Sequence, residues 1–270
     1  MPEFFCQKFN KDMNIFSVKL LLFIERISVS FADHVIVSND IWRNKIVNRD
    51  KILPAKCTTI LNYADLSFFN KEGVVINKDK SQLKIIYPGT ISRLHGIDVL
   101  IKAMSIVHQK IPNVRLYIYS LTQNQYFDNE INKLIGDLNL DDVLIFHDTI
   151  PIEELAKVYE NFDIGVIPKR GGIFAAEAFS SKTFDYMAAG LPIVASKTKI
   201  DQYYFDDSMI MFFEPENHEE LAKCIIELHQ NPGIRRELAM RGKEYVQVHN
   251  WEKKKHIYLS IINNLVGSKV

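Results

Sequence analysis

From residue 83 onward, short unbroken apolar runs alternate with longer amphipathic ones, and this constrains the fold more than anything else in the chain. LKIIYPG (83–89) precedes GIDVLIKAMSIVHQKI (96–111), and VRLYIYS (114–120) precedes NQYFDNEINKLIGDL (124–138). VLIFHD (143–148) precedes IEELAKVYENF (152–162), and DIGVIP (163–168) leads to a segment that turns helical toward residue 189. LPIVAS (191–196) and IMFFE (210–214) are further strands, and 218–231, 233–249 and 251–266 are helices. The short runs are continuously apolar rather than alternating, which is the pattern of strands buried on both faces of a parallel sheet. The expected fold class is therefore α/β, a Rossmann-like parallel sheet covered by helices on both sides. Ligands of such sheets sit at the carboxyl ends of the strands. Gly89–Gly96, Ser120, Phe146–Thr149, Pro168–Ser181 and Ser196 are thus expected around one crevice.

The first 82 residues are less regular. A helix over about 13–31 leads into a short strand, ADHVIVS (32–38), and then a helix over 40–49 that Asp40 is placed to cap. CTTILN (57–62) is another strand, and 70–82 is a polar linker. Asn14–Phe31 holds the apolar core LLLF flanked by Lys19, Glu25 and Arg26. A buried amphipathic helix is the plainer reading, and contact with a membrane surface is the other.

Composition excludes several classes. Lys plus Arg and Asp plus Glu number 33 each in 270 residues, so no net positive field favours nucleic acid. Cys6, Cys57 and Cys224 are scattered and odd in number, giving neither metal spacing nor a disulfide framework. A reducing, cytoplasmic setting is the default expectation. No run of 18 uncharged apolar residues is present.

Three crevice segments carry chemistry. Ser180-Ser181-Lys182-Thr183 stands before FDYMAA, at the start of a helix whose first N–H groups lack partners within it. With the helix dipole, those groups suit a phosphate; an ordinary N-cap is the competing reading. Glu177 and Asp185 flank that segment with seven residues between them. A carboxylate accepting two adjacent hydroxyls suits a sugar or ribose ring, while solvated surface acids are the alternative. In YPGTISRLHGIDVLIKA (87–103), Gly89 ends a strand and Gly96 opens a helix, with Thr90, Arg93 and His95 between. A loop Arg there suits a departing diphosphate, or else is simply solvated. Lys169 and Arg170 add cations that face either phosphate or solvent. The spacing is neither GxGxxG nor GxxxxGK[ST], and no HExxH or Asp-rich cluster occurs.

Taken together, Glu177-x7-Asp185 followed by YMAAGLPIVAS resembles the donor-site motif of retaining GT-B glycosyltransferases of family 4, also called group 1. SSKTFDYMAAGLPIVAS is similar to a form found in surface-polysaccharide transferases, and GTISRLHGIDVLIKA to the family's glycine-rich loop. The second acid is Asp where the family has Glu, and Thr90 and His95 replace the usual Arg and Lys. The resemblance implies a transferase moving a sugar from a nucleoside diphosphate sugar to a saccharide or lipid-linked acceptor, with retention and without a metal. Glu177 would hold the donor sugar and Asp185 the ribose. Ser180 and Ser181 would offer backbone N–H groups to the phosphates, and Gly89, Thr90, His95, Lys169 and Lys182 would belong to the same substrate site. The segment around Phe146–Thr149, with Phe146 and His147, would lie near the base, and Arg93 would steady the leaving diphosphate.

By the same resemblance, residues 1–62 correspond to the end of an N-terminal acceptor domain, 63–82 to a hinge and linker, 83–250 to the donor domain and 251–270 to a crossover helix. Three readings follow from the short first part. The chain is a piece of a longer transferase, or one subunit of a split enzyme completed by a protein supplying the acceptor domain, or a nucleotide-sugar-binding module without catalysis. The sub-family points to cell-envelope polysaccharide built in the cytoplasm at the inner face of a membrane, with peripheral membrane contact through 14–31.

Overall fold

The computed structural model describes residues 16–69, 82–121, 127–172 and 176–267. The linker expected at 70–82 and the start of the helix expected over 124–138 fall largely outside them.

Six strands form one parallel sheet: β3 (Leu83–Pro88), β4 (Val114–Tyr119), β5 (Leu144–His147), β6 (Ile164–Ile167), β7 (Ile193–Ser196) and β8 (Met211–Phe213). Their spatial order is β5-β4-β3-β6-β7-β8, so the chain winds outward from β3 in one direction and from β6 in the other. Both faces are covered. Along β3, Ile85 and Tyr87 enter one core while Ile86 enters the other. The first core is completed by Leu100 and Met104 of α3 (Ile97–Lys110) and Ile225 of α8 (His218–Gln230). The second takes Tyr159 of α5 (Ile152–Tyr159), Phe184 and Met187 of α6 (Ser181–Ala189), and Val246 of α9 (Pro232–Val248). Two-sided burial is why the strand sequences carry no alternation. A short helix, α7 (Lys199–Tyr204), which the sequence pattern does not announce, is capped by the Thr198 hydroxyl. α4 (Asn132–Asp137) follows a single wide turn over Phe127–Ile131.

The order reverses between β3 and β6, and the loops leaving these strands diverge there to leave a crevice. The loops touch at one point. Gly96 has φ +71, and a Cβ on it would strike the carbonyl of Pro168. The Arg170 N–H donates to the Leu94 carbonyl across the same seam at 3.4 Å.

Ahead of this sheet lie α1 (Phe16–Phe31), α2 (Asp40–Asp50) and a two-stranded parallel pair, β1 (Val35–Val37) with β2 (Cys57–Thr59). Val29, Val37, Ile46 and Cys57 make a small separate core. Asn39, not Asp40, caps α2: its side chain accepts from the Trp42 N–H at 2.9 Å. α1 departs from the expectation of a buried helix. Only Val18 and Val29 are buried, while Phe16, Leu20, Phe23, Ile24, Ile27 and Phe31 form an exposed stripe. Helical periodicity fixes that an apolar face exists but not what covers it. α10 (Trp251–Gly267) has a second such stripe, with Tyr258, Leu259, Ile262 and Val266 exposed. Among the described residues no helix is long and apolar enough to cross a membrane.

Candidate functional site

Two adjoining hollows open at the switch point. The smaller, about 200 Å³, lies between Tyr87, His95 and Lys169 on one side and Phe179, Ser180 and Ser181 on the other. The larger, about 510 Å³, is lined by Gly89, Thr90, Tyr119, Ser120, Thr149 and Asp185, among others. Ser181 and Lys182 border both. The larger lies within the size range of small-molecule sites, roughly 300–1,000 Å³.

The shared wall is the first turn of α6. Ser180 stands at its N-cap position with extended backbone but makes no capping hydrogen bond. The helix therefore meets the hollows with the positive end of its dipole and a cation in its first turn. Lys182 reaches the crevice by lying flat over Gly89, at φ +148, where a Cβ would come within 2.5 Å of the lysine Cε. Its Nζ sits 5.9 Å from the Tyr87 ring centroid. Among the described residues Lys182 forms no ion pair.

Burial sets the charge states. Lys182 is pushed down to about 8 by burial, against the attraction of Asp185 and with further lowering by Lys169. Asp185 is pushed up to about 6 by burial, against the attraction of Lys182. His95 is held down at about 4 by burial and by the nearby Lys182 and Lys169 ammonium groups. Its Nδ1 lies 2.6 Å from the Ser92 hydroxyl. At neutral pH the small hollow thus presents the Lys182 ammonium, a neutral imidazole and a helix N-terminus, an arrangement that favours an anion.

The remaining expected residues divide. Lys169 borders the small hollow, yet its ammonium is committed: it pairs with buried Asp201 at 2.6 Å and donates to the Ala178 carbonyl at 3.1 Å. It thereby holds the chain between Glu177 and α6. Arg170 is bound to Asp98 and to Glu216. Arg93 lies on an exposed turn, paired with Glu130 at 2.9 Å, and lines neither hollow. Phe146 and His147 point apart, as neighbours on a strand do. Phe146 packs edge-on against Phe127, and His147 stacks on Tyr119. Neither lines the large hollow, whereas Thr149 and Tyr119 do. Ser196 is fully buried.

Glu177 is only 7% exposed and lines neither hollow itself, but lies next to Ala178, which lines the small one. Its carboxylate accepts from Lys45 Nζ at 2.5 Å, and its carbonyl accepts from Asn39 at 2.9 Å. Nothing local in the sequence signals either partner. Tyr159, at the back of the large hollow, is a further addition; its buried hydroxyl has no hydrogen-bond partner among the described residues. Also among the described residues, no group of three or more His, Cys, Asp or Glu side chains comes together to hold a metal.

In sheets of this order ligands sit at the switch point, and a helix N-terminus there suits an anion. The solved structures to which the chain is similar are glycosyltransferases of the GT-B fold. Sucrose-phosphate synthase from Thermosynechococcus elongatus superposes with TM-score 0.76 at 24% identity, over 93% of this chain and 62% of that one. Anabaena HepE in complex with UDP and glucose superposes with TM-score 0.73 at 17% identity, over 89% and 67%. The family described as "Glycosyl transferases group 1" matches residues 69–245, and the chain belongs to it. Among curated relatives, D-inositol 3-phosphate glycosyltransferase of Arthrobacter sp. (strain FB24) is 24% identical over 177 residues, which are 65% of this chain and 41% of that protein. The matched part spans less than half the length of that relative and of the similar ones beside it.

The Lys169–Asp201 pair gives a direct test of how the site is held. Replacing Lys169 by Met leaves Asp201 buried without its cation, and should cost about 3–5 kcal/mol of stability. Urea unfolding of the variant beside the parent measures this; an unchanged midpoint would show that the pair does not anchor the loop.

Proposed function

We propose that the chain is the donor-binding part of a retaining glycosyltransferase of family 4, which moves a sugar from a nucleoside diphosphate sugar to an acceptor hydroxyl in envelope polysaccharide synthesis. The observation that carries this is the position of Lys182 and the first turn of α6, which border both hollows at once. The diphosphate lies against Ser180, Ser181 and Lys182. Asp185 accepts the ribose hydroxyls, the base lies between Tyr119 and Thr149, and Glu177 accepts hydroxyls of the donor sugar. On transfer the bond from the sugar C1 to the diphosphate oxygen breaks and the acceptor oxygen bonds to C1. The acceptor proton leaves with the nucleoside diphosphate. Lys182 and the helix terminus stabilise the charge growing on the leaving oxygen without a metal. Lys182 replaces Arg93 in this role because the Arg93 guanidinium is turned out to Glu130.

The pH dependence follows from the charge states. A bound diphosphate keeps Lys182 protonated, so binding takes up a proton once the pH exceeds about 8, where free Lys182 deprotonates. Affinity should fall there by about tenfold per pH unit. It should also fall below about 6, where Asp185 protonates and its acceptor capacity for ribose drops. Thermal-shift titrations with UDP, GDP, ADP and UDP-glucose should raise the unfolding midpoint with concentration for one base, by the equivalent of about 2.7 kcal/mol at 100 times Kd. Asp185→Ala should lose the shift, and Lys182→Met should lose the alkaline limb. A folded chain indifferent to every nucleotide would sink this reading.

A second reading concerns the acceptor side, and the stripes on α1 and α10 favour it. Phe16 and Phe31 are 79% and 90% exposed within an apolar stripe, and a contiguous exposed apolar face marks an interaction site. We infer that an acceptor half packs on these faces, from a longer form of this chain or from a partner. Phe23→Glu with Ile27→Glu should then reduce binding of an apolar dye and self-association, with nucleotide shifts unchanged. A parent chain that is monomeric and binds no dye would contradict this.

A further inference from the structure

Glu177 is held from outside its own domain. α2 reaches it at two points separated by about one and a half turns, using Asn39 at its N-cap and Lys45 inside it. Asn39 is fully buried and faces both ways: its Oδ1 accepts from the Trp42 N–H, and its Nδ2 donates to the Glu177 carbonyl. Lys45 Nζ then donates to Glu177 Oε2 at 2.5 Å. The start of α2 is itself fixed. The Tyr204 hydroxyl accepts from the Asp40 N–H and donates to Asp40 Oδ2, both at 2.8 Å, and Thr59 donates to Asp40 Oδ1 at 2.6 Å. On the other side Lys169 holds the next residue by the Ala178 carbonyl. The glutamate is therefore clamped in main chain and side chain by a helix 132 residues earlier in the sequence.

We propose that Lys45 is a positioning residue that fixes the Glu177 carboxylate for the donor sugar. The inference rests on the reading that Glu177 holds that sugar. A glutamate has three side-chain torsions, and a free one loses their freedom when it engages hydroxyls. Lys45 takes one oxygen and restrains the rotation of the carboxylate, so that fewer orientations of its remaining lone pairs are open before the sugar arrives. The cation is half-exposed, with its side chain 33% accessible, while the carboxylate is 9% accessible. The bond thus directs a nearly buried acid and is not an ordinary surface pair. Lys45 lines neither hollow, so the effect is expected at the sugar that Glu177 holds and not at the nucleotide.

That confinement supplies the test. Titration calorimetry compares Lys45→Met with the parent, using UDP, GDP and ADP and then the glucose, galactose, mannose and N-acetylglucosamine conjugates of whichever nucleotide binds. In Lys45→Met the nucleotide alone should bind as in the parent, and the conjugate should lose about tenfold in affinity. Lys45→Arg, which keeps the charge, should recover most of the loss. A conjugate affinity unchanged in Lys45→Met overturns the proposal. So does an equal loss for nucleotide and conjugate, which would make Lys45 a support of the fold at large. A parent that binds nucleotides but gains nothing from any of the sugars overturns it too, while leaving the nucleotide site standing. A parent that binds no nucleotide removes the functional reading itself.

Discussion

The reversal of strand order between β3 and β6 is the constraint on which the site depends. Each of these strands must send its chain away from the other, so their carboxyl ends leave a gap that main chain alone does not fill. The gap is kept narrow by Gly96, whose missing Cβ lets the β3 loop settle on the Pro168 carbonyl. It is floored by α6, which follows the β6 loop and turns its N-terminus inward. A peptide dipole, a glycine-lined entrance and a lysine stem are thereby gathered in a few ångströms by topology.

Charge burial then separates support from chemistry. Lys169 and Asp201 are both buried, and each neutralises the other. Their pair is part of the wall. Lys182 is half-buried, yet it has no ion pair among the described residues, and desolvation lowers its proton affinity. A cation desolvated without a partner costs stability unless a ligand completes it. The same contrast separates Arg170, bound by two acids, from the cation over Gly89. Sites of function are where such costs are retained.

The sheet was legible because its evidence is local. Strands such as IGVI are buried along their whole length, and the uniform apolarity that this demands is written in consecutive residues. α7 was not legible, since six residues after Thr198 are too few to show a period. The cap of α2 was ambiguous, because Asn39 and Asp40 are both good caps and only the fold selects one. In the site, Ser180, Ser181, Lys182 and Asp185 belong to one helix start, so their grouping follows from spacing. Arg93 with Glu130 and Lys45 with Glu177 are 37 and 132 residues apart, and no periodicity encodes such meetings. Phe146 and His147 were placed by position alone, and the direction of a side chain on a strand depends on register with β4.

The central claim is that the first turn of α6 grips a diphosphate. Amide hydrogen exchange with and without UDP, GDP and ADP, resolved to short peptides, tests it most directly. The account predicts that the bound nucleotide slows exchange in 181–186 and in 89–96, with 218–248 unchanged. Saturation by a nucleotide that leaves the amides of 181–186 exchanging at their free rate would contradict it.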